Sequence, residues 1–468
     1  MRKFIAILIP ISLFAAKRPA PAPEVSVPAV YRNQPVEAAV TPDEEWWKAF
    51  GDPLLDDLIR QAASANLDIR KAQSRLAEAN ALRIGARSPL APSVDSNASA
   101  TRLRGGFNQG VAKIQNAPGA AQGGSFVSPF ETTIFSGSFN MRWEADVFGG
   151  LRKALKASTA DAQAADENMR DAQTIVRAEV ARNYIEMRAA EDQIGIVRAN
   201  IASESDLLNL IKVRAEAGLA TGLDVERQTA QLASVGAALP EFDILRLQAV
   251  HRIGVLLGEP PAALTDRLQA AAPRLKVPAV PAAIPSELLK RRPDIRRAES
   301  QIAAAYARAG AARADLYPKF VITGLAGRQS TDLSGLTLGA GNFFSIGPGI
   351  SLPIFNFGRI RSHIAVQDAQ VDQALRSYEQ EVLSAFEETE NAFVARDRAA
   401  QRQRTLETGV IAAKQSVELA QELYIRGLGD FLAVLDAQRQ QFQLDGELAA
   451  SNAALLRSTV ALHKALGH

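Results

Sequence analysis

Phe344-Ser345-Ile346-Gly347-Pro348-Gly349-Ile350-Ser351-Leu352-Pro353-Ile354 alternates with a period of two. Phe344, Ile346, Pro348, Ile350, Leu352 and Ile354 form one apolar face. Ser345, Gly347, Gly349, Ser351 and Pro353 form a face of small, mostly polar residues. That pattern predicts a strand with two unlike sides. Residues 320–329 read as its hairpin partner, joined through the Gly/Ser/Thr-rich loop 330–343. An earlier pair repeats the design. Phe139, Met141 and Trp143 alternate with Ser138, Asn140, Arg142 and Glu144, so 136–148 reads as a strand. Its partner is 93–104, across a long Gly/Ala/Gln-rich loop at 105–135. Ten-residue alternating strands with turn-rich loops are a transmembrane β-barrel signature, though each segment alone is a weak signal; the soluble counterpart is a small sheet or a sandwich edge.

Four strands cannot close a barrel. An open edge in hydrocarbon leaves backbone groups unsatisfied, so strands in a membrane require several chains to share one barrel. Two chains give eight strands, whose interior side chains fill; three give twelve and leave a lumen.

After each hairpin the sequence turns helical for a long way. Residues 360–426 hold no proline and one glycine, Gly409, before Gly427. At about 1.5 Å per residue such a helix is roughly 100 Å long. Positions 357, 364, 371, 378, 385, 392, 399, 406, 413 and 420 carry Phe, Ile, Val, Tyr, Ala, Ala, Ala, Leu, Ala and Ala. A strict seven-residue period implies left-handed coiled-coil packing. The first copy keeps the register through Phe148, Leu155, Ala162, Met169 and Val176, then departs at Asn183 and at Glu204. Each long helix ends in a tight turn, Gly218-Leu219-Ala220-Thr221-Gly222 or Gly427-Leu428-Gly429-Asp430. Gly218 and Gly427 suit the left-handed position after a helix. Thr221 and Asp430 suit the caps of the returning helices.

The chain is thus two copies of one unit. Asp68-Ile69-Arg70 recurs as Asp294-Ile295-Arg296, and Phe148-Gly149, Gly218-Leu219 and Leu257-Gly258 recur as Phe357-Gly358, Gly427-Leu428 and Leu466-Gly467. The reading divides it into a signal segment 1–16, an extended Pro/Ala/Val-rich tether 17–52, repeat one at 53–260, a linker 261–285 and repeat two at 286–468. Repeat one holds a helix over 53–88, the β-hairpin 93–148 and a helical hairpin 150–258; repeat two holds a helix over 286–317, the β-hairpin 320–355 and a helical hairpin 360–466.

Composition narrows function. The 53 basic and 51 acidic residues nearly balance, which gives nucleic acid no electrostatic footprint. Cysteine is absent, so disulfides and thiolate metal sites are excluded. His251, His363, His463 and His468 lack metal-ligand spacing, and no catalytic motif appears. The expectation is a non-enzyme without cofactor or metal. Arg2-Lys3 before the apolar run Phe4–Ala16 reads as an export signal. Leu13-Phe14-Ala15-Ala16 resembles the approach to a lipoprotein cleavage site, but Lys17 stands where the acylated cysteine belongs. An ordinary signal peptide cut near Ala16 is the other reading.

Trp46-Trp47-Lys48-Ala49-Phe50-Gly51-Asp52-Pro53-Leu54-Leu55 resembles the start of the NodT-type outer-membrane efflux lipoproteins, a branch of the TolC-like outer-membrane factors. Leu256-Leu257-Gly258-Glu259-Pro260, Arg291-Arg292-Pro293-Asp294-Ile295 and Leu352-Pro353-Ile354-Phe355 resemble it too, and the likeness spans 43–467. It implies a mixed α and β membrane protein: a homotrimeric twelve-stranded transmembrane β-barrel, four strands per chain, continuous with a long periplasmic α-helical barrel. It implies an efflux duct working with a periplasmic adaptor and an inner-membrane pump of the RND type, in contact with outer-membrane lipid. A type I protein-secretion duct shares the fold and is the alternative; a soluble coiled-coil scaffold or enzyme is opposed by the signal segment and the strands. The resemblance places a periplasmic gate at Tyr424, Leu432, Asp436 and Arg439, with Asp436 forming an acidic ring that favours cations. Ala433 replaces a family aspartate three residues before Asp436. The competing reading is a solvated helix face on which Asp436 and Arg439 pair at i,i+3. The turns Gly218, Leu219, Thr221, Gly427, Leu428 and Asp430 become the implied adaptor contacts.

Overall fold

A computed structural model describes residues 26–34, 45–107, 128–269, 273–280, 284–338 and 341–467. The signal segment, Lys17 and much of the tether lie outside the described residues. Four strands, β1 (Ser93–Phe107), β2 (Ser128–Ala145), β3 (Lys319–Ser330) and β4 (Asn342–Ser351), form one antiparallel sheet in that order. The β2–β3 pair joins the two copies, with Phe139 opposite Ala326 and Trp143 opposite Ile322.

Paired residues in a sheet share a face. Val94 pairs with Met141, Met141 with Gly324 and Gly324 with Ile346. The same face carries Phe139, Trp143, Phe320, Ile322, Phe344, Pro348 and Ile350. It is therefore largely apolar in the half of the sheet nearer the helices, while the far ends of the strands put Arg102, Arg104, Glu131 and Arg328 on the same side. The opposite face carries Asp95 against Asn140, Asn97 against Ser138, and Ser99 against Ser136, whose hydroxyls bond at 2.8 Å. β1 and β4 are the open edges.

Strand limits differ from the sequence reading. β2 begins near Ser128 rather than 136, because Glu131-Thr132-Thr133-Ile134-Phe135 is β-prone within the stretch read as loop. β4 stops at Ser351, ahead of Pro353, which cannot donate to a ladder. The 330–343 connection contains a short helix, α8 (Gly335–Leu338).

The helical part is built on α3 (Gly150–Glu216) and α9 (Arg359–Ile425), each 67 residues. α4 (Gly222–Leu256) and α10 (Phe431–Ala465) return from the far ends and, at 35 residues, cover only about half of each long helix. The halves nearer the sheet pack instead against α2 (Leu67–Arg87) and α7 (Pro293–Ala314). Along α9 the seven-residue row is buried at Val371, Tyr378, Ala385, Ala392, Leu406 and Ala413. A second row four residues on, Leu375, Val382, Thr389, Val410, Val417 and Tyr424, completes the seam. α3 is buried on several sides over 176–187, which explains its blurred register.

Each first helix is interrupted. α1 (Pro53–Ala65) ends where Asn66 accepts bonds from the Asp68 and Ile69 amides at 2.8 and 3.1 Å, starting α2 anew. α6 (Pro285–Arg291) ends at Arg292, held extended ahead of Pro293. The two interruptions do the same work. Asn66 Nδ2 donates to Leu256 O at 2.8 Å, and Arg292 Nη1 donates to Ala465 O at 3.0 Å. One repeat ties its returning helix with an amide, the other with a guanidinium. Arg292 also grips Asp294 at 2.6 Å and Glu388 at 2.9 Å. Gly258 (φ 73°) and Gly467 (φ 82°) end the returning helices in the left-handed region, where an added Cβ meets Ala65 O at 2.9 Å or Arg292 Cα at 3.1 Å.

The N-terminal segments dock rather than dangle. Tyr31 is buried, its ring 5.6 Å from Phe393, while the Arg32 amide donates to Glu390 at 2.7 Å. The 3₁₀ turn Trp46–Phe50 enters the core, where Trp46 stacks on His463 at 4.9 Å. Gly51, at φ 74°, turns the chain into α1, and Asp52 caps it through the Leu54 amide. The remaining short helix, α5 (Thr265–Leu268), seats Leu268 in the same core.

Candidate functional site at the helical tip

Both long helices end in the same turn. The Leu219 amide donates to Arg214 O at 2.8 Å and the Leu428 amide to Leu423 O at 2.9 Å, with Gly218 at φ 75° and Gly427 at φ 73°. This six-to-one bond with a left-handed glycine satisfies the last helical carbonyls. Thr221 and Asp224 form a reciprocal capping box, and Asp430 accepts from the Leu432 amide at 3.4 Å. Each turn presents one apolar side chain to solvent, Leu219 at 67% and Leu428 at 73% exposure.

Behind the turns, three joints tie the α3–α4 hairpin to the α9–α10 hairpin. At the tip, Tyr424 is buried among Leu207, Ile211, Phe431 and Val434. The Arg214 guanidinium lies 4.8 Å over its ring and donates to Ile425 O at 3.3 Å, a cation on the last turn of α9. Burial raises the Tyr424 hydroxyl pKa, so it stays neutral. Next along the seam, Arg439 Nε donates to Gln231 Oε1 at 2.8 Å. Farther from the tip, Gln193 Nε2 donates to Gly446 O at 2.8 Å.

The four gate candidates therefore fall into two environments. Tyr424 is buried in the seam between hairpins of one chain, and Arg439, itself exposed, reaches across the edge of that seam to Gln231. Leu432 and Asp436 are exposed, one turn apart on α10. Arg439 directs its bond to Gln231 on α4, not to Asp436 one turn away. Residue-by-residue matching missed Arg214, Gln231 and Gln228, since each gains meaning from a helix more than a turn of chain away. Glu204 had a signal: it is a polar residue at a core heptad position.

Among the described residues no group of three or more His, Cys, Asp or Glu gathers to hold a metal. No described helix is long and apolar enough to cross a membrane. A two-faced sheet with open edges, set on helices of about 100 Å, defines one part of a channel that spans a membrane through strands and a periplasm through helices.

The profile of the family described as "Outer membrane efflux protein" matches residues 58–259 and 284–468, and the chain belongs to that family. It is 32% identical over 428 residues to the probable efflux pump outer membrane protein SepC of Pseudomonas putida, covering 90% of this chain and 85% of that one. It is 29% identical over 464 residues to the pyoverdine export outer membrane protein OpmQ of Pseudomonas putida, covering 98% and 96%. Among solved structures, the outer-membrane channel OprN superposes with a TM-score of 0.85 at 32% identity, over 96% of this chain and 98% of that one. The protein is a TolC-like outer-membrane channel with a periplasmic extension, an efflux exit duct and not an enzyme.

Proposed function

We propose that three copies of the chain close one twelve-stranded barrel and pass drugs or other small solutes outward, driven by a separate inner-membrane pump of the RND type through a periplasmic adaptor. The observation that carries this is the sheet: one face largely apolar across the helix-proximal half of all four strands, the other richer in Ser, Asn, Asp and Gly there, and both edges open. The apolar face suits lipid and the polar face a wet lumen. Closure by three chains removes the unpaired edges and leaves a passage, where two would leave a filled interior. Relatives named for efflux and for pyoverdine export support cargo of the small-solute class. The paired turns with exposed Leu219 and Leu428 support docking of the adaptor at the tip.

In this reading Asp436 and Leu432 face the threefold axis, and the Tyr424 and Arg439 joints hold each chain's two hairpins together to narrow it. Opening separates the hairpins. The assembly test is native mass in detergent: a trimer is expected, and a stable monomer with an intact sheet removes the shared barrel. The gate test is conductance in planar bilayers. Asp436→Ala should lose cation preference and cation block. Arg439→Ala with Tyr424→Phe should raise conductance chiefly through the lost Arg439–Gln231 bond, since one hydrogen bond of about 0.5–1.5 kcal/mol shifts the closed population up to roughly tenfold and the Tyr424 hydroxyl has no aligned partner to lose. Wild-type cation preference and block in Asp436→Ala would take that residue off the axis.

A further inference from the structure

The helix seams of this molecule bury mostly Ala, Val, Leu and Ile. Near the tip the α3–α4 seam buries a carboxylate instead. Glu204 is 0% exposed, and Gln228, facing it from α4, is equally buried. Gln228 Nε2 donates to Glu204 O at 3.1 Å and also to the Glu204 carboxylate. Glu204 Oε1 and Gln228 Oε1 are both buried without an aligned hydrogen bond. Two acceptors without an aligned donor in a dry seam are costly. A protonated carboxyl gains an O–H donor of its own.

The surroundings agree. Burial pushes the Glu204 carboxyl above its ordinary pKa, outweighing the Gln228 bond, the Arg439 charge and the Gln231 side chain, which all favour the anion. From α10 the charged group facing it is Arg439, itself held by Gln231. From α4 it meets the neutral Gln228 and Gln231; among the described residues no second carboxylate or histidine influences it.

We propose that Glu204 is a proton-binding site that holds the tip shut when the periplasm acidifies. The proposal rests on the gate reading above, in which opening parts the hairpins. A site that binds its proton more tightly in one arrangement favours that arrangement as pH falls. With the hairpins together, Glu204 is dry and its carboxyl raised. Parting them withdraws Arg439, which by itself raises proton affinity, and admits water, which lowers it. Burial is the larger influence in the closed form, so the closed form binds the proton more tightly. The ionised carboxylate opposes closure at higher pH, and that opposition disappears as pH falls through the raised pKa.

The test is open probability in planar bilayers from about pH 7.5 to about pH 5.5, a span bracketing raised carboxylates. Wild type should fall roughly three- to tenfold on acidification. Glu204→Gln copies the neutral carboxyl's shape and supplies a donor, so it should stay low and flat. Arg439→Ala should open more than wild type and reports that a gate exists. An unchanged pH response in Glu204→Gln, or a wild type that opens in acid, overturns the proton site and leaves the duct standing. No conductance in wild type or Arg439→Ala overturns the duct reading itself. Should Glu204→Gln fail to assemble, hydrogen exchange of residues 200–232 in the wild type decides. Protection that grows in acid, after correction for intrinsic rates, supports the site, and protection independent of pH overturns it.

Discussion

Arg292→Ala should destabilise the detergent-solubilised protein by about 3–5 kcal/mol, the range for removing one partner of a buried ion pair. Arg292 is 8% exposed and supplies both the ion pair to Asp294 and the bond to Ala465 O. Its removal leaves the Asp294 carboxylate with only the Ile295 amide bond and Ala465 O with only the long 3.4 Å bond from the Thr389 hydroxyl. Glu388 is half exposed and contributes little. The pH response adds a second readout. Burial raises the Asp294 carboxyl, but the Arg292 bond and charge outweigh it and hold it below the ordinary range. A depressed carboxylate contributes stability above its unfolded pKa and loses it as pH falls through the folded one. That acid-side loss should shrink in Arg292→Ala, where the Ile295 amide and the Arg297 charge alone still favour the anion. The matching change in the other repeat, Asn66→Ala, should cost less, about 1–3 kcal/mol, because no ion is stranded. Thermal loss of the helical circular dichroism, read at several pH values, measures both. An Arg292→Ala protein within about 1 kcal/mol of wild type would show that the joint does not bind the returning helix.

Trp46→Ala should cost a similar amount, about 3–5 kcal/mol, through an unfilled cavity. Trp46 is 2% exposed, stacked on His463 of α10 and edge-on to Trp47 and Phe50. The turn that carries it also delivers Asp52, which receives the Tyr184 hydroxyl at 2.5 Å; Arg188 donates to that same hydroxyl at 2.8 Å. Removing the indole therefore loosens the anchor of α1 as well as the core between α3 and α10. Trp46→Phe keeps a ring on His463 and should recover most of the loss. Chemical unfolding followed by circular dichroism separates the two variants. Equal stability of Trp46→Ala and wild type would mean that the Trp-Trp turn is a surface feature.

These joints mark where the sequence stopped being legible. Period-two alternation in Phe344–Ile350 and in Phe139–Trp143 set each strand's two faces, because side chains alternate whatever the strand pairs with. The row from Val371 to Ala413 gave the buried edge of α9, because helical spacing fixes which side chains share a face. Gly218, Gly427, Thr221 and Asp430 announced the tip turns, because left-handed backbone and capping are chemistry within one turn of chain. Even Glu204 was visible as a break in a seven-residue row.

Tertiary structure alone decided the rest. Pairing of β2 with β3 joins segments that no local pattern relates, and it is what makes one apolar face run across both repeats. Asn66 and Arg292 look unlike each other, yet each holds the last carbonyls of a returning helix because the fold brings that helix end to the same place. Arg439 has charged neighbours in sequence, yet it bonds Gln231, 208 residues away. Periodicity specifies which side of an element is dry. Which partner supplies the dryness, and so which polar group must be matched there, depends on contacts between residues far apart in the chain.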